Sequence, residues 1–160
     1  MKRMMGALLL AAVLLVGCAD AVDIPATDVL DAVLAEVEIG DNEVFSLGAL
    51  DEGSRLRDEM IELLYDTAPE GASDGAVALS KSALGGEVHI LRAGNLSQRG
   101  RLERILEERA ALIGRRQNLL FLSEPDAGLS ASVEVKGLYV MLFVTSDNPT
   151  AYQAALEVLE

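Results

Sequence analysis

Every residue from 138 to 144 is apolar, in the order Leu138, Tyr139, Val140, Met141, Leu142, Phe143, Val144. Alternate side chains of a strand point to opposite faces, so Leu138, Val140, Leu142 and Val144 share one face. Tyr139, Met141 and Phe143 share the other. A strand apolar on both faces needs cover on both sides. This segment therefore predicts a central strand inside a layered domain.

The residues around it repeat one plan. Residues 76–82 read as a strand, Gly85-Gly86 as a tight turn and residues 87–92 as the returning strand. Asn95 and Gln98 then form a capping box for a long helix, with Leu102, Ile105, Leu106, Leu112 and Ile113 on one face. After a loop at roughly residues 117–131, holding Pro125 and Gly128, the plan recurs. Residues 132–135 and 138–145 are strands about a Lys136-Gly137 turn. Asp147 or Asn148 caps a last helix with Pro149 in its first turn, burying Tyr152, Ala155, Leu156 and Leu159.

Two more helices precede this repeat. Thr27 or Asp28 caps the first, whose face is Val29, Leu30, Val33, Leu34 and Val37. Ser54 caps the second, with Leu56, Met60, Leu63 and Leu64. The stretch between them, with Phe45 and Leu47, has no clear period. The expected fold is thus α+β, in the order α-α-β-β-α-β-β-α. It places a four-stranded antiparallel sheet under two C-terminal-half helices on one face, with the N-terminal helices covering the other.

The first twenty residues carry a different signal. Lys2 and Arg3 are followed by an apolar run, Met4 to Val16, broken only by Gly6. It is shorter than the roughly 20 apolar residues that a membrane-spanning helix needs. A charged start, a short apolar run and small residues before a cut are the layout of a cleaved export signal. Leu15-Val16-Gly17-Cys18 is the lipobox pattern. Gly17 lets a peptidase approach, and the Cys18 thiol accepts a diacylglyceryl group; the new amino terminus is commonly acylated too, with a palmitate-type chain. Two or more acyl chains make a stable anchor, whereas one binds only marginally. The expectation is a signal peptide at residues 1–17, a lipidated tether at 18–26 and a single domain at 27–160, held at the extracytoplasmic face of a bacterial membrane. Cys18 is the only cysteine. Its lipidation leaves no thiol for a disulfide or a cysteine metal site.

Charge narrows the partners. The chain carries −13. Without residues 1–17 it holds 11 basic against 26 acidic residues, a net of −15. Residues 19–75 hold 16 acidic residues and only Arg55 and Arg57, whereas residues 76–160 are almost balanced, with 10 acidic and 9 basic. Such a balance argues against nucleic acid, whose binding is driven by phosphate neutralisation. It also repels anionic lipid headgroups. Asp41-Asn42-Glu43 and Asp51-Glu52 are doublets without the spacing of a calcium loop, so no metal and no cofactor is expected. The six aromatics, with no Trp, offer no stacking platform.

With the lipobox, residues 76–81 and 88–92, the charged helix at 101–109 and Val135-Lys136-Gly137-Leu138-Tyr139-Val140 in view, the chain resembles a known family. It is similar to the small clostridial-type lipoproteins grouped as domain of unknown function 4358. These share a lipoprotein signal, a late valine-lysine-glycine-x-tyrosine-valine hairpin and a closing helix. The resemblance covers roughly residues 50–160 and implies the address and the fold. It brings no catalytic residues, because the family has no established activity.

Three features suggest chemistry and each has a plainer reading. Gly71-Ala72-Ser73-Asp74-Gly75 matches G-x-S-x-G, but a nucleophile elbow needs a strand before it and a helix after it, the reverse of this order. His89 is the only histidine and cannot build a zinc site alone, so a surface or edge position is expected. Arg99, Arg101, Arg104, Arg109, Arg115 and Arg116 are interleaved with Glu103, Glu107 and Glu108, which describes a salt-bridged solvent face. The expected function is a non-enzymatic envelope module that binds a protein partner or small ligand. The alternative is an envelope hydrolase whose carboxylates meet from distant parts of the sequence. A concave pocket with two converging carboxylates would mark the second. A transporter's solute receptor fits less well, since it usually needs two lobes.

Overall fold

A computed structural model describes residues 23–47, 62–65, 69–82, 85–120 and 129–160, without the side chains of 118–120. Leu15, Val16, Gly17 and Cys18 of the lipobox lie outside the described residues. So do residues 19–22 of the tether, Ser54, Leu56 and Met60 of the expected second helix, the Asp51-Glu52 doublet, and residues 121–128. The elements run α1 Ala26–Glu36, β1 Asn42–Ser46, β2 Ala72–Ser80, β3 Glu87–Ala93, α2 Leu96–Leu120, β4 Ala131–Lys136, β5 Tyr139–Val144 and α3 Asn148–Leu159. Residues 62–64 add a helical turn.

The chain is α+β, with one antiparallel sheet of five strands in the order β1-β2-β3-β5-β4. Strand β5 lies between β3 and β4, and all its residues are buried. Its alternation divides the core as the pattern predicts. Tyr139, Met141 and Phe143 enter one apolar cluster, and Val140, Leu142 and Val144 the other.

The expected strand count is corrected from four to five. The extra strand, β1, pairs Asn42 with Ser80 through Ser46 with Ala76 at the sheet edge. Its sequence, Asn-Glu-Val-Phe-Ser, shows no strand alternation because an edge position leaves most of it half or fully exposed.

The helix placement is also corrected. The two later helices cover opposite faces: α2 packs with Val77, Leu91 and Leu142, and α3 packs with α1 on the side of Val88, Ile90 and Phe143. Length explains this. Strands β3 and β4, both antiparallel to β5, run parallel to each other, and α2 is the crossover between them. At 25 residues it spans about 37 Å, and it shares its face with Leu64 and Tyr65 of the 62–65 segment. The 11-residue α1 leaves much of the other face bare, and α3 fills it. Ala151, Ala154 and Ala155 are buried there, and such small side chains let α3 pack closely on α1.

Local signals hold unevenly. The Asn95 side-chain oxygen accepts from the Gln98 N–H at 3.0 Å at the start of α2. Asp147 accepts from the Thr150 N–H at 3.1 Å at the start of α3. Helix α1 instead starts two or three residues earlier than Thr27 or Asp28 would cap it, after Pro25, and has no cap of its own. Asp74 of β2 supplies one, accepting from the Ala26 N–H at 2.7 Å. The chain before α1 is packed as well: Ile24 bonds through its backbone N–H and C=O to the Tyr139 hydroxyl, and Ala26 is fully buried. The last residues of the expected tether thus belong to the packed unit. The β4–β5 turn sits one residue later than expected, at Gly137-Leu138, with Lys136 paired to Tyr139. Gly137 has φ +58°, the first central position of a type II′ hairpin that favours glycine.

Candidate functional site

On the α2 face, alternation in β3 puts Glu87, His89, Leu91 and Ala93 in one row. His89 is fully buried between Val77 of β2 and Leu142 of β5. The expected surface or edge position is therefore corrected: β3 is the middle strand and α2 lies over it. Burial is tolerable because both ring nitrogens have partners. Nδ1 is 2.7 Å from the Tyr65 hydroxyl, and Nε2 is 2.7 Å from Glu87 Oε2. Arg109 closes the line, donating from Nε to Glu87 Oε2 and from Nη2 to Oε1, both at 3.0 Å.

The protonation states follow from the surroundings. Burial pushes the His89 imidazole below its ordinary value, and the hydrogen bond and charge of Glu87 do not restore it. Burial alone would raise Glu87, but the hydrogen bond from His89 and the charge and hydrogen bonds of Arg109 outweigh it and hold the carboxyl below the usual range. Glu87 is thus ionised and accepts. His89 Nε2–H donates to it, which leaves Nδ1 to accept from the Tyr65 O–H. Burial drives the Tyr65 phenol far above its usual range, with Glu87 adding to the rise against Arg109.

Tyrosine, histidine and carboxylate in a row have the connectivity of a nucleophile, base and orienter. The burial and raised pKa of Tyr65 deny it the role of nucleophile, because the phenolate is the costly form and the hydroxyl is sealed in. The row is a structural clamp joining the residue 62–65 segment, β3 and α2.

Beside the clamp is a cleft of about 390 Å³ between the β2–β3 connection and α2. Its lining includes Lys81, Arg109 and Arg116, with Ser80, Glu87 and the exposed Leu63. Leu64, Leu79, Ser82, Gly85 and Gly86 complete it. A Cβ on Gly85 would run into the Ser80 hydroxyl, and one on Gly86 into the Val144 carbonyl, so only glycine lets the chain lie this close. One carboxylate lines the cleft, Glu87, and Arg109 and His89 already hold it. Among the described residues, two converging carboxylates, the mark of the hydrolase alternative, are not found in it.

The other sequence candidates fall elsewhere. Ser73 is exposed in β2, with its hydroxyl donating to the Arg92 carbonyl at 3.2 Å. It lies four residues along the strand from Val77, the partner of His89, a distance of about 13 Å. The glycines of the G-x-S-x-G match have local causes. Gly71 turns at φ +94°, and Gly75 makes room for Leu47 and Leu91. Among the arginines, Arg101 does form an exposed pair, with Glu70 at 3.2 Å. Arg109 departs from the solvent face into the clamp. A signal for this was present: Arg109 continues the stripe of Leu102, Leu106 and Ile113, all buried at helical spacing.

Comparison with known proteins found no matching family model, no matching curated protein and no matching solved structure. Among the described residues, no group of three histidine, cysteine, aspartate or glutamate side chains could hold a metal ion. No helix among them is long and apolar enough to cross a membrane.

Proposed function

We propose that this chain is an exported bacterial lipoprotein, cut before Cys18, anchored by lipid on that cysteine, and serving as a non-enzymatic binding module at the extracytoplasmic face of the membrane. The observation that carries the reading is the order of Lys2-Arg3, the apolar run and Leu15-Val16-Gly17-Cys18. The resemblance of the lipobox and the late hairpin to the 4358 lipoproteins belongs to the same reading.

Chain geometry adds a consequence. Ile24 is tied to Tyr139 and lies six residues after Cys18. Six residues reach at most about 20 Å, so an anchored domain stays within that distance of the headgroups. The net negative charge of the chain repels anionic lipid, so the attachment rests on acyl chains rather than on electrostatics. The binding role rests on the cleft beside Arg109, whose polar groups converge on open space while the neighbouring clamp is closed.

The test is metabolic labelling of expressing bacteria with an alkyne fatty acid, followed by detergent phase partition and mass spectrometry of the amino terminus. Wild type is expected to carry label, enter the detergent phase and begin at a modified Cys18. Cys18→Ala is expected to lose the label and remain uncut. Equal labelling of both, or no label on wild type, would sink the anchor.

A further inference from the structure

We propose that the cleft between the β2–β3 connection and α2 binds a phosphate-bearing anion. Among the described residues, three cations, Lys81, Arg109 and Arg116, line it against a single carboxylate. That carboxylate, Glu87, is matched by Arg109, with Nη2 2.9 Å from Oε2. Lys81 and Arg116 are the remaining cations of the lining, in a protein whose net charge is −13. Arg116 is exposed and has no ion-pair partner among the described residues. Lys81 pairs with Asp41 at 3.2 Å, but Asp41 is 80% exposed, and such surface pairs contribute little and exchange readily.

The geometry suits an oxyanion. Glu87 holds Arg109 through Nε and Nη2, which fixes the guanidinium plane and leaves Nη1 outside the bonds of the clamp. A guanidinium already oriented loses less freedom when it donates again, and arginine matches the oxygens of phosphate in paired fashion. The Ser80 hydroxyl accepts from the Ser82 N–H at 3.2 Å and so keeps its own hydrogen to donate. Arg116, with Lys81 once it leaves its exposed pair with Asp41, supplies the positive charge for a phosphate-bearing anion. The cleft volume falls in the range of small-molecule sites. Leu63, 69% exposed at its rim, offers an apolar surface to whatever the phosphate carries.

This deepens the binding-module reading by naming the ligand class, and it does not depend on the anchor. Phosphate could arrive on a free solute or on a lipid headgroup, and the same titration separates the two. The full chain, in nonionic detergent at low salt, is titrated with inorganic phosphate and separately with dihexanoyl phosphatidylglycerol, while amide and arginine side-chain NMR signals are followed. Saturable shifts at Gly85, Gly86 and Arg109 are expected. Arg116→Gln should weaken binding about tenfold, the usual scale of one lost hydrogen bond to a charged partner. Arg101→Gln, on the same helix but paired with Glu70 outside the cleft, should leave it unchanged. Saturation by inorganic phosphate supports a free solute, and saturation by the lipid alone supports a headgroup. No saturation by either overturns the proposal, as does equal weakening by Arg101→Gln and Arg116→Gln. Lipid labelling at Cys18 without anion binding would break this inference alone; anion binding without labelling would break only the anchor.

Discussion

The two faces of the sheet are built from the same strands and held by different physics. Toward α1 and α3 the buried row is apolar, with Val29, Leu30, Val88, Ile90, Met141 and Phe143 fully enclosed. Toward α2, Leu91, Val140 and Leu142 are equally enclosed, but Tyr65, His89, Glu87 and Arg109 run through them. Burial of hydrocarbon is non-directional and insensitive to pH. A buried hydrogen-bonded line has one productive arrangement and one set of protonation states. The first face supplies bulk stability, while the second fixes how α2 and the 62–65 segment sit and carries the open cleft beside it.

The largest expected effect tests the dry face. Phe143→Ala removes the largest fully buried side chain among the described residues and should cost about 3–5 kcal/mol. Denaturant unfolding at pH 5 and at pH 7 should give the same loss. A loss that changes between these two pH values would mean that the faces are coupled and the comparison fails.

Next comes the clamp. Arg109 and Glu87 are each close to nine-tenths buried, at 12% and 11% side-chain exposure. Arg109→Met leaves an ionised Glu87 without its charged partner, at a cost of about 3 kcal/mol. The double change Arg109→Met with Glu87→Gln should recover most of it, since removing both charges restores balance. A double variant no more stable than the single one would show that the arginine acts by packing rather than by charge.

The clamp should also give the protein an acid limit. His89 and Glu87 both have folded-state values below their ordinary 6.5 and 4.5. The unfolded chain therefore binds more protons in each window, and stability falls as pH drops. The loss should begin below pH 6.5 through His89 and steepen below pH 4.5 through Glu87. His89→Gln should remove the first part of the slope and keep the second. Tyr65→Phe leaves the His89 Nδ1 acceptor unpaired and should cost about 2 kcal/mol. Because it removes a donor to the neutral ring, it should also lower the resistance of His89 to protonation. A stability curve flat from pH 7 to pH 5 in wild type would refute the assigned charge states.

These contrasts mark how much of the molecule could be read from its residues. The central strand was legible because residues 138–144 are apolar at every position, a pattern with few physical solutions. The capped starts of α2 and α3 were legible because Asn95 and Asp147 act within one turn of themselves. Strand β1 was not, since 25 residues separate its end from the start of its partner β2 and an edge strand needs no apolar alternation. The clamp was half visible. Arg109 sits on a buried stripe and Glu87 shares a strand face with His89, but Tyr65 comes from a distant segment that only the fold brings near. The cleft was invisible, because Lys81 and Arg116 meet across 35 residues of sequence.

The smallest effect lies where the N-terminal segment meets the dry face. Asp74 uses one carboxylate oxygen to accept from the Ala26 N–H at 2.7 Å and the other to accept from its neighbour Gly75 at 2.8 Å. It caps α1 from a strand 48 residues away, a role usually played by the residue preceding the helix. Asp74→Ala should therefore cost about 1 kcal/mol, the usual size of a lost cap. Asp74→Asn keeps a side-chain oxygen and should cost less. Hydrogen exchange discriminates this from a general loosening: the amides of Ala26, Thr27 and Asp28 should exchange faster in Asp74→Ala, while those of β3 and β5 keep their protection. Equal acceleration in α1 and β5 would mean that Asp74 supports the sheet itself, and that the start of α1 is held by the Ile24–Tyr139 contact instead.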